Sequence, residues 1–301
     1  MKVLITGGTG FLGGHAVRAL SDAGLETAAT FARRPGLDLP GVRWLQLDIL
    51  DPDAVRAAVY AEQPTHLLHM AWRPVHGNVS GARDNFDWLK ASLDLAGAFV
   101  DAGGRRIVGL GSCFEYDWTE GVCTEDRTPL VPSTLYGATK NALRAALYGL
   151  ARDAGASFAW SRVFFTYGPG ENETRFVASL ASAMLRGEPG EMTSGVQVRD
   201  FLYAGDIAEA LVKLATSDHD GAFNIGTGHP VTLLDIANEV ARQIGRPDLL
   251  RAGARSAKPF EPPLITADMT RSSQVLGWRA STSLQDGVVL TIAAMRNDKS
   301  I

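Results

Sequence analysis

The chain has 301 residues, of which 46% are hydrophobic and 21% charged, with a formal net charge of −4. This composition is ordinary for a globular protein with a substantial core, and it gives no reason to expect a nucleic-acid or membrane partner. Two cysteines, Cys113 and Cys123, do not make a disulfide framework, and the six histidines show no metal-ligand spacing. We therefore expect a cytoplasmic protein that binds no metal, nucleic acid or membrane.

Apolar runs alternate with segments of helical character along the first half of the chain. Strands are predicted near residues 2–6, 26–31, 43–47, 66–70, 106–111 and 158–164. Helices are predicted near residues 11–23, 52–62, 85–102 and 135–153. This alternation is typical of an α/β fold with a doubly wound parallel (Rossmann) sheet.

Three glycines follow the first predicted strand at intervals of three residues: Gly7, Gly10 and Gly13. Any tight turn can use glycine, so the pattern alone is not decisive. Its place between a buried strand and a helix favours a nucleotide site, however. There, glycines let the backbone approach a pyrophosphate, and the helix N-terminus offers N–H donors to the anion.

Tyr136 and Lys140 are four residues apart on a predicted helix, which places both side chains on one face. A phenol has a pKa near 10, and lowering it by about three units requires roughly 4 kcal/mol of differential stabilisation. A neighbouring ammonium and a cationic nicotinamide could supply this together. An isolated Tyr-x-x-x-Lys is usually a solvated helix face, but here it accompanies the glycine pattern and a serine upstream.

That serine is Ser112, which falls where the strand predicted near residues 106–111 ends. In open α/β sheets this carboxyl edge is where ligands bind. A hydroxyl there would hydrogen-bond the carbonyl or hydroxyl of a substrate and orient it for Tyr136. Taken alone, Ser112 is better interpreted as a serine that caps a loop.

The chain changes character after Gly168 and Pro169. Segments 171–200 and 229–301 read as irregular, whereas residues 201–228 return to the first domain. We predict a dinucleotide-binding domain of residues 1–170 plus about 201–228. Segments 171–200 and 229–301 then form a smaller C-terminal lobe that binds substrate over the sheet edge.

Together these motifs resemble the extended short-chain dehydrogenase/reductases, also called the NAD-dependent epimerase/dehydratase family of nucleotide-sugar enzymes. The matching segments are residues 6–13, 47–49, 69–72, 111–116, 136–140, 167–169, 198–206, 223–228 and 276–278. The resemblance implies Ser112, Tyr136 and Lys140 as catalytic residues. It implies that the cofactor is bound by Gly7, Thr9, Gly10, Phe11, Leu12, Gly13, Asp48, Ile49, Met70, Ala71, Trp72, Tyr136 and Lys140. It also implies a homodimer that packs the helices near residues 85–102 and 135–153.

The end of the second predicted strand bears on the choice of cofactor. Enzymes that use NAD usually place an acidic residue there, to bind the ribose 2′-hydroxyl. Here Phe31 occupies that place, and Arg33 and Arg34 follow. Guanidinium groups suit the 2′-phosphate of NADP, although two solvated loop arginines would look the same. We favour NADP over NAD.

Substrate contacts follow from the resemblance residue by residue. They are Ser112, Cys113, Glu115, Phe165, Arg199 and Lys258. Arg199 matches an arginine that grips a diphosphate, and Lys258 lies where many relatives have a second one. Phe165 replaces an asparagine that is common in relatives. Glu115 reads equally well as a solvated carboxylate.

The residues that follow Ser112 limit which of the family's reactions we expect. The family's dehydratases carry an Asp-Glu pair after the catalytic serine, where this chain has Cys113 and Phe114, so elimination lacks its acid and base. Epimerase–reductases of the family use a cysteine two positions before the local tyrosine, whereas Cys113 lies three before Tyr116. We predict NADPH-dependent reduction of a keto group, at C4, on a nucleotide-linked deoxysugar. The alternatives are a nucleotide-sugar epimerase or epimerase–reductase with tightly bound NAD, and a non-catalytic dinucleotide sensor.

Overall fold

The computed structural model describes residues 1–72, 80–257 and 261–297. The strands in these residues are β1 (Lys2–Thr6), β2 (Glu26–Phe31), β3 (Val42–Gln46), β4 (His66–His69), β5 (Arg106–Ser112), β6 (Val122–Cys123), β7 (Ser157–Val163), β8 (Phe165–Tyr167), β9 (Gly190–Met192), β10 (Val198–Arg199), β11 (Phe201–Tyr203), β12 (Gly221–Ile225), β13 (Val231–Thr232), β14 (Leu250–Ala252) and β15 (Leu264–Ala267). The helices are α1 (Phe11–Asp22), α2 (Pro52–Glu62), α3 (Asn85–Asp101), α4 (Leu135–Asp153), α5 (Phe176–Leu185), α6 (Ala204–Ala215), α7 (Leu233–Ile244), α8 (Thr270–Gln274) and α9 (Leu284–Asn297). Short 3₁₀ helices lie at Cys113–Glu115 and Pro247–Leu249.

The main sheet has seven strands in the order β12-β7-β5-β4-β1-β2-β3, and every pair is parallel. This confirms the predicted α/β doubly wound fold. The chain winds outward from β1 in one direction through β2 and β3, and in the other through β4 and β5. The order therefore reverses between β1 and β4, and ligands bind at such a switch point, outside the carboxyl ends of the strands.

Helices cover both faces of the main sheet. On one face, Val3 and Ile5 of β1 pack with α1 and α6 through Val17 and Leu211. On the other face, Leu4 packs with the core of α2, α3 and α4. Successive residues of a strand point to opposite faces, so a run of apolar residues is required where both faces are buried.

The segments predicted to be irregular contain regular structure, so that part of the prediction was wrong. Helices α5, α7 and α9 share a core with residues such as Leu180, Val240 and Ile292. The Thr232 side chain accepts a hydrogen bond from the Asp235 N–H, and Asp235 accepts one from the Thr232 N–H, which starts α7. The predicted domain boundaries remain a prediction.

A buried carboxylate joins this region to the main sheet. Asp200, between β10 and β11, accepts hydrogen bonds from the Thr227 N–H (2.7 Å), the Gly228 N–H (3.0 Å) and the Ala267 N–H (3.1 Å). The loop after β12 and the strand β15 are thereby fixed to the residue that follows Arg199. In the part of the chain that the structure describes, no helix has the length and apolar character to cross a membrane.

Candidate active site

The turn after β1 depends on two of its glycines. Gly7 has a φ of +73°, and a Cβ there would lie 2.9 Å from the backbone nitrogen of Ala71. A Cβ on Gly13 would overlap the carbonyl oxygen of Gly7, so α1 packs directly on the turn. Gly10 caps α1 without a side-chain hydrogen bond, which leaves the first N–H groups of the helix for an anion.

A chain of hydrogen bonds fixes the switch point between β1 and β4. The Thr6 hydroxyl oxygen accepts from the N–H groups of Met70 and Ala71 (both 3.1 Å), so its own proton goes to His69 Nδ1 at 2.7 Å. His69 Nε2 then donates to Ser92 Oγ at 2.8 Å. Burial, followed by the charge of Lys140, lowers the His69 pKa to about 3, so this imidazole is neutral.

A cavity of about 510 Å³ lies at this edge of the sheet. Nine of the predicted cofactor-binding residues line it: Gly7, Thr9, Gly10, Phe11, Asp48, Ile49, Met70, Ala71 and Trp72. Leu47, which belongs to a segment matched to the family, also lines it. Sequence reasoning missed its other walls, which are Thr30, Ala32, Trp88, Gly170 and Asn172, and it named Phe31 only as the residue in place of an acid. Leu12 lines the neighbouring cavity, and Gly13 is buried beneath the turn. We call the cavity of about 510 Å³ the cofactor cleft; its tightly packed glycine turn and the free N–H groups at the start of α1 fit a dinucleotide.

The residues predicted to select the cofactor lie beside this cleft. The Phe31 ring at the end of β2 packs edge-to-face on Trp44, with centroids 6.3 Å apart. Arg33 and Arg34 are both exposed. Arg34 lines an adjoining cavity of about 570 Å³ with the glycine turn and Arg18, whereas Arg33 lines neither cavity.

The three predicted catalytic residues lie together. Thr134 caps α4 by accepting a hydrogen bond from the Gly137 N–H at 3.1 Å. A Cβ on Gly137 would overlap the carbonyl oxygen of Phe114, so only glycine lets α4 approach the end of β5 this closely. This approach places Tyr136 beside Ser112, and the Phe114 and Tyr136 ring centroids are 5.9 Å apart.

Lys140 is buried, and its Nζ donates a hydrogen bond to the Leu110 carbonyl oxygen at 2.9 Å. The same Nζ lies 4.0 Å from the ring centroid of Trp72 and 6.0 Å from that of Tyr136. Burial lowers the Lys140 pKa to about 7, against the opposing influence of Glu115. The ammonium thus stands between the cofactor cleft and the phenol.

Burial raises the pKa of Tyr136, while a hydrogen bond with Ser112 and the charge of Arg175 act in the opposite direction. The phenol is therefore protonated at neutral pH and has a proton to donate. Ser112 also accepts a hydrogen bond from the Phe114 N–H at 3.3 Å. Ser112 is thus both a cap and a neighbour of Tyr136.

A second cavity, of about 440 Å³, opens beside Ser112 and Tyr136, and we call it the substrate cavity. Of the residues predicted to contact substrate, Phe165 and Arg199 also line this cavity. Its aromatic walls also include Phe114, Phe164, Phe176 and Phe201, and its further charged groups are Glu171, Arg175 and Glu261. Sequence reasoning missed Glu171, although it directly follows the glycine after the Tyr167-Gly-Pro169 segment.

Two predicted substrate contacts lie beneath the cavity instead of lining it. The 3₁₀ turn after Ser112 directs Cys113 and Glu115 into the protein, where both are buried. Glu115 accepts hydrogen bonds from Arg162 Nε (2.9 Å) and Trp160 Nε1 (2.9 Å), so its carboxylate is used inside the fold. Burial raises the pKa of the Cys113 thiol well above its ordinary value. Lys258 lies outside the described residues.

Arg199 lies at the substrate cavity, but its guanidinium already has hydrogen-bond partners within the protein. Its guanidinium donates to the Val198 carbonyl oxygen at 2.8 Å and to Glu261 Oε1 at 3.3 Å. A diphosphate in the substrate cavity would compete with Glu261 for this cation.

Comparison with known proteins decides the family. The sequence model of the NAD-dependent epimerase/dehydratase family matches residues 3–226, which is most of the chain. The chain belongs to this family. As an epimerase/dehydratase-family protein it is an enzyme of the extended short-chain dehydrogenase/reductase type, which confirms the resemblance read from its motifs.

Named relatives of this epimerase/dehydratase-family protein act on nucleotide sugars. UDP-glucose 4-epimerase of Lactobacillus helveticus is 26% identical over 97% of this chain and 96% of the relative. UDP-glucuronic acid decarboxylase 6 of Arabidopsis thaliana is 25% identical over 96% and 87%. Among solved structures, MoeE5 in complex with UDP-glucose and NAD is 32% identical, with a TM-score of 0.84 over 99% of each chain. The NAD complex of Thermus thermophilus UDP-glucose 4-epimerase is 26% identical, with a TM-score of 0.88 over 99% of this chain and 100% of the other.

Proposed function

We propose that the protein reduces the C4 keto group of a nucleotide-linked deoxysugar with NADPH. When bound, the reduced nicotinamide supplies the hydride. Tyr136 donates its phenolic proton to the developing alkoxide, and the Ser112 hydroxyl hydrogen-bonds the same oxygen. Lys140 stabilises the phenolate that remains, because its Nζ lies 6.0 Å from the ring centroid.

The walls of the substrate cavity support the choice of substrate. Phe114 and Phe165 face the reacting end, and their ring centroids are 6.3 Å apart. Apolar walls accept a ring that lacks a hydroxyl and leave a buried hydroxyl without a partner. Phe114 also occupies the place of a dehydratase carboxylate, which leaves simple hydride and proton transfer as the chemistry served by Ser112 and Tyr136.

The end of β2 is the single observation that carries reduction over epimerisation. Phe31 cannot accept a hydrogen bond from a ribose hydroxyl, whereas Arg33 and Arg34 suit a phosphate. Enzymes that consume a reductant draw NADPH from solution, and epimerases recycle a retained cofactor. The NAD named with MoeE5 and the Thermus epimerase favours the second candidate, a nucleotide-sugar epimerase that keeps NAD bound.

Replacing Arg33 and Arg34 distinguishes the NADPH-dependent reductase from the epimerase that keeps NAD bound. We expect the Arg33→Ala, Arg34→Ala double variant to bind NADPH about 10–100-fold more weakly and NADH as before, since charge-assisted hydrogen bonds contribute about 1.5–3 kcal/mol. The measurement is calorimetric titration of both reduced cofactors, after any co-purified nucleotide has been identified. Arg56→Ala, at an exposed arginine of α2, is the matched control. Bound NAD that resists dialysis, with equal binding by both proteins, would instead establish the epimerase candidate.

We also propose a homodimer that packs α3 and α4 against their copies. Apolar side chains are exposed on these helices: Phe86 and Leu93 on α3, and Tyr148 on α4. Contiguous exposed apolar surface commonly marks an association site. Sedimentation at micromolar concentration should give the dimer mass for the wild type and the monomer mass for Leu93→Arg. A wild-type monomer would contradict the proposal.

A further inference from the structure

Glu171 has a buried carboxylate oxygen that accepts no hydrogen bond from the described residues. Its side chain is only 3% exposed and lines the substrate cavity together with Ser112 and Tyr136. Oε1 lies 3.6 Å from Nε of Arg175, one turn further along the chain. Oε2 has no hydrogen-bond partner among residues 1–72, 80–257 and 261–297.

An unsatisfied buried acceptor is costly, so in a native protein an ordered water, an ion or a ligand usually supplies the donor. The local chain path indicates which ligand. Gly170 and Asn172 line the cofactor cleft, while Glu171, between them, lines the substrate cavity. The donor for Oε2 is therefore expected from the substrate and not from the cofactor.

The other carboxylate that lines the substrate cavity, Glu261, already accepts hydrogen bonds within the protein. Glu261 accepts hydrogen bonds from Arg199 at 3.3 Å and from the Gln197 side-chain amide at 3.1 Å. The aromatic walls offer no acceptor at all. Of the carboxylates that line the described cavity, Glu171 is thus the one with a free oxygen.

We propose that Glu171 accepts a hydrogen bond from a hydroxyl group of the sugar and so selects which sugars bind. This inference rests on the proposed nucleotide-sugar function. It makes Glu171 a specificity residue that touches substrate beside the residues that transfer hydrogen. A sugar without the matching hydroxyl leaves the buried oxygen unpaired, which is the strong form of discrimination in polar sites.

The pH dependence follows from the carboxyl group. Burial raises the Glu171 pKa to about 7, against the opposing effects of Arg175 and of the Ala178 backbone N–H. The ionised carboxylate is the stronger acceptor for a hydroxyl, so sugar binding favours proton release and weakens as the pH falls below 7. The other charged or titratable groups facing the loop or sharing the cavity are Arg199, Glu261, Tyr136 and His15, whose Nε2 lies 2.9 Å from the Pro169 carbonyl oxygen.

The test compares a nucleotide with its sugar conjugate, so that the sugar contribution is isolated. UDP and UDP-glucose, and in parallel dTDP and dTDP-glucose, are titrated calorimetrically into the full protein at pH 6 and pH 8. In the wild type we expect the affinity gained from the sugar to fall about tenfold more from pH 8 to pH 6 than it does in Glu171→Gln, following the ionised fraction of Glu171. The terminal phosphate of free UDP and dTDP also titrates in this interval, and its effect cancels in that comparison. Glu171→Gln should lose about tenfold of the gain at pH 8, with nucleotide affinity unchanged.

Glu173→Gln is the matched control, because Glu173 is an exposed carboxylate two residues away that does not line the cavity. It should behave as the wild type. If wild type and Glu171→Gln both bound the nucleotide and gained the same affinity from the sugar, the inference about Glu171 would be wrong, while the proposed function would stand. If no nucleotide or nucleotide sugar bound the wild type, the proposed function would fail, and the Glu171 assignment with it.

Discussion

Replacing Tyr136 with phenylalanine should lower kcat by about 10²–10⁴, which is the range for the loss of a general acid. The phenol is protonated because burial raises its pKa, and Ser112 hydrogen-bonds it. Without the hydroxyl, the developing alkoxide has no proton donor at that position. Oxidation of NADPH by a nucleotide-linked 4-keto-6-deoxysugar at neutral pH measures the effect.

The Tyr136→Phe substitution should leave cofactor and substrate binding nearly unchanged. Phenylalanine keeps the ring that contacts Phe114 and Trp72, so cofactor affinity and KM should stay within about threefold of the wild type. Tyr148→Phe is the control, because Tyr148 lies exposed on the same helix and should keep full activity. Near-wild-type turnover by Tyr136→Phe would refute the proton-transfer role. Partner binding that depends on cofactor, without any turnover, would point to the sensor instead.

Replacing Glu115 with glutamine should lower the free energy of unfolding by about 3–5 kcal/mol, as expected for breaking a buried ion pair from one side. Glu115 is 0% exposed and its partner Arg162 is 1% exposed. Burial disfavours the Arg162 cation, but Glu115 and Tyr116 together outweigh burial and raise the pKa of the guanidinium. A neutral amide would leave that charge uncompensated. The midpoint of guanidinium-induced unfolding, followed by tryptophan fluorescence, reports the loss.

Two controls show whether the charge is the cause. Asp94→Asn breaks the exposed pair with Lys90 and should change the free energy by less than about 1 kcal/mol. Adding Arg162→Met to Glu115→Gln removes the stranded charge and should restore part of the stability. A loss below about 1 kcal/mol in the single variant would mean that water or a conformational shift compensates Arg162.

The sheet and the Ser112, Tyr136 and Lys140 cluster could be predicted because their signals are local. Strand and helix periodicity, tight glycines and a one-turn spacing are all readable without knowing the tertiary contacts. The inward direction of Glu115 was also readable: Ser112 and Glu115 form a capping box, in which Glu115 accepts from the Ser112 N–H at 2.8 Å. That pairing turns the carboxylate back beneath the strand.

Other features had weaker signals or none. The same capping pattern at Thr232 and Asp235 marks the start of α7, where scattered prolines suggested irregular chain. Arg175 and Glu261, by contrast, reach the substrate cavity from segments far apart in sequence. Their placement depends on how the second core docks on the sheet, for which no short-range pattern exists.

The neutral imidazole of His69 has a consequence for acid tolerance. The unfolded chain binds a proton there near pH 6.5, whereas the folded protein resists protonation down to about pH 3. Its stabilising contribution is complete above pH 6.5 and is lost progressively as the pH falls through that interval. The hydrogen-bonded floor formed by Thr6, Met70 and Ala71 therefore keeps its neutral imidazole in mild acid, while the proton taken up by the unfolded chain lowers the free energy of unfolding of the whole protein.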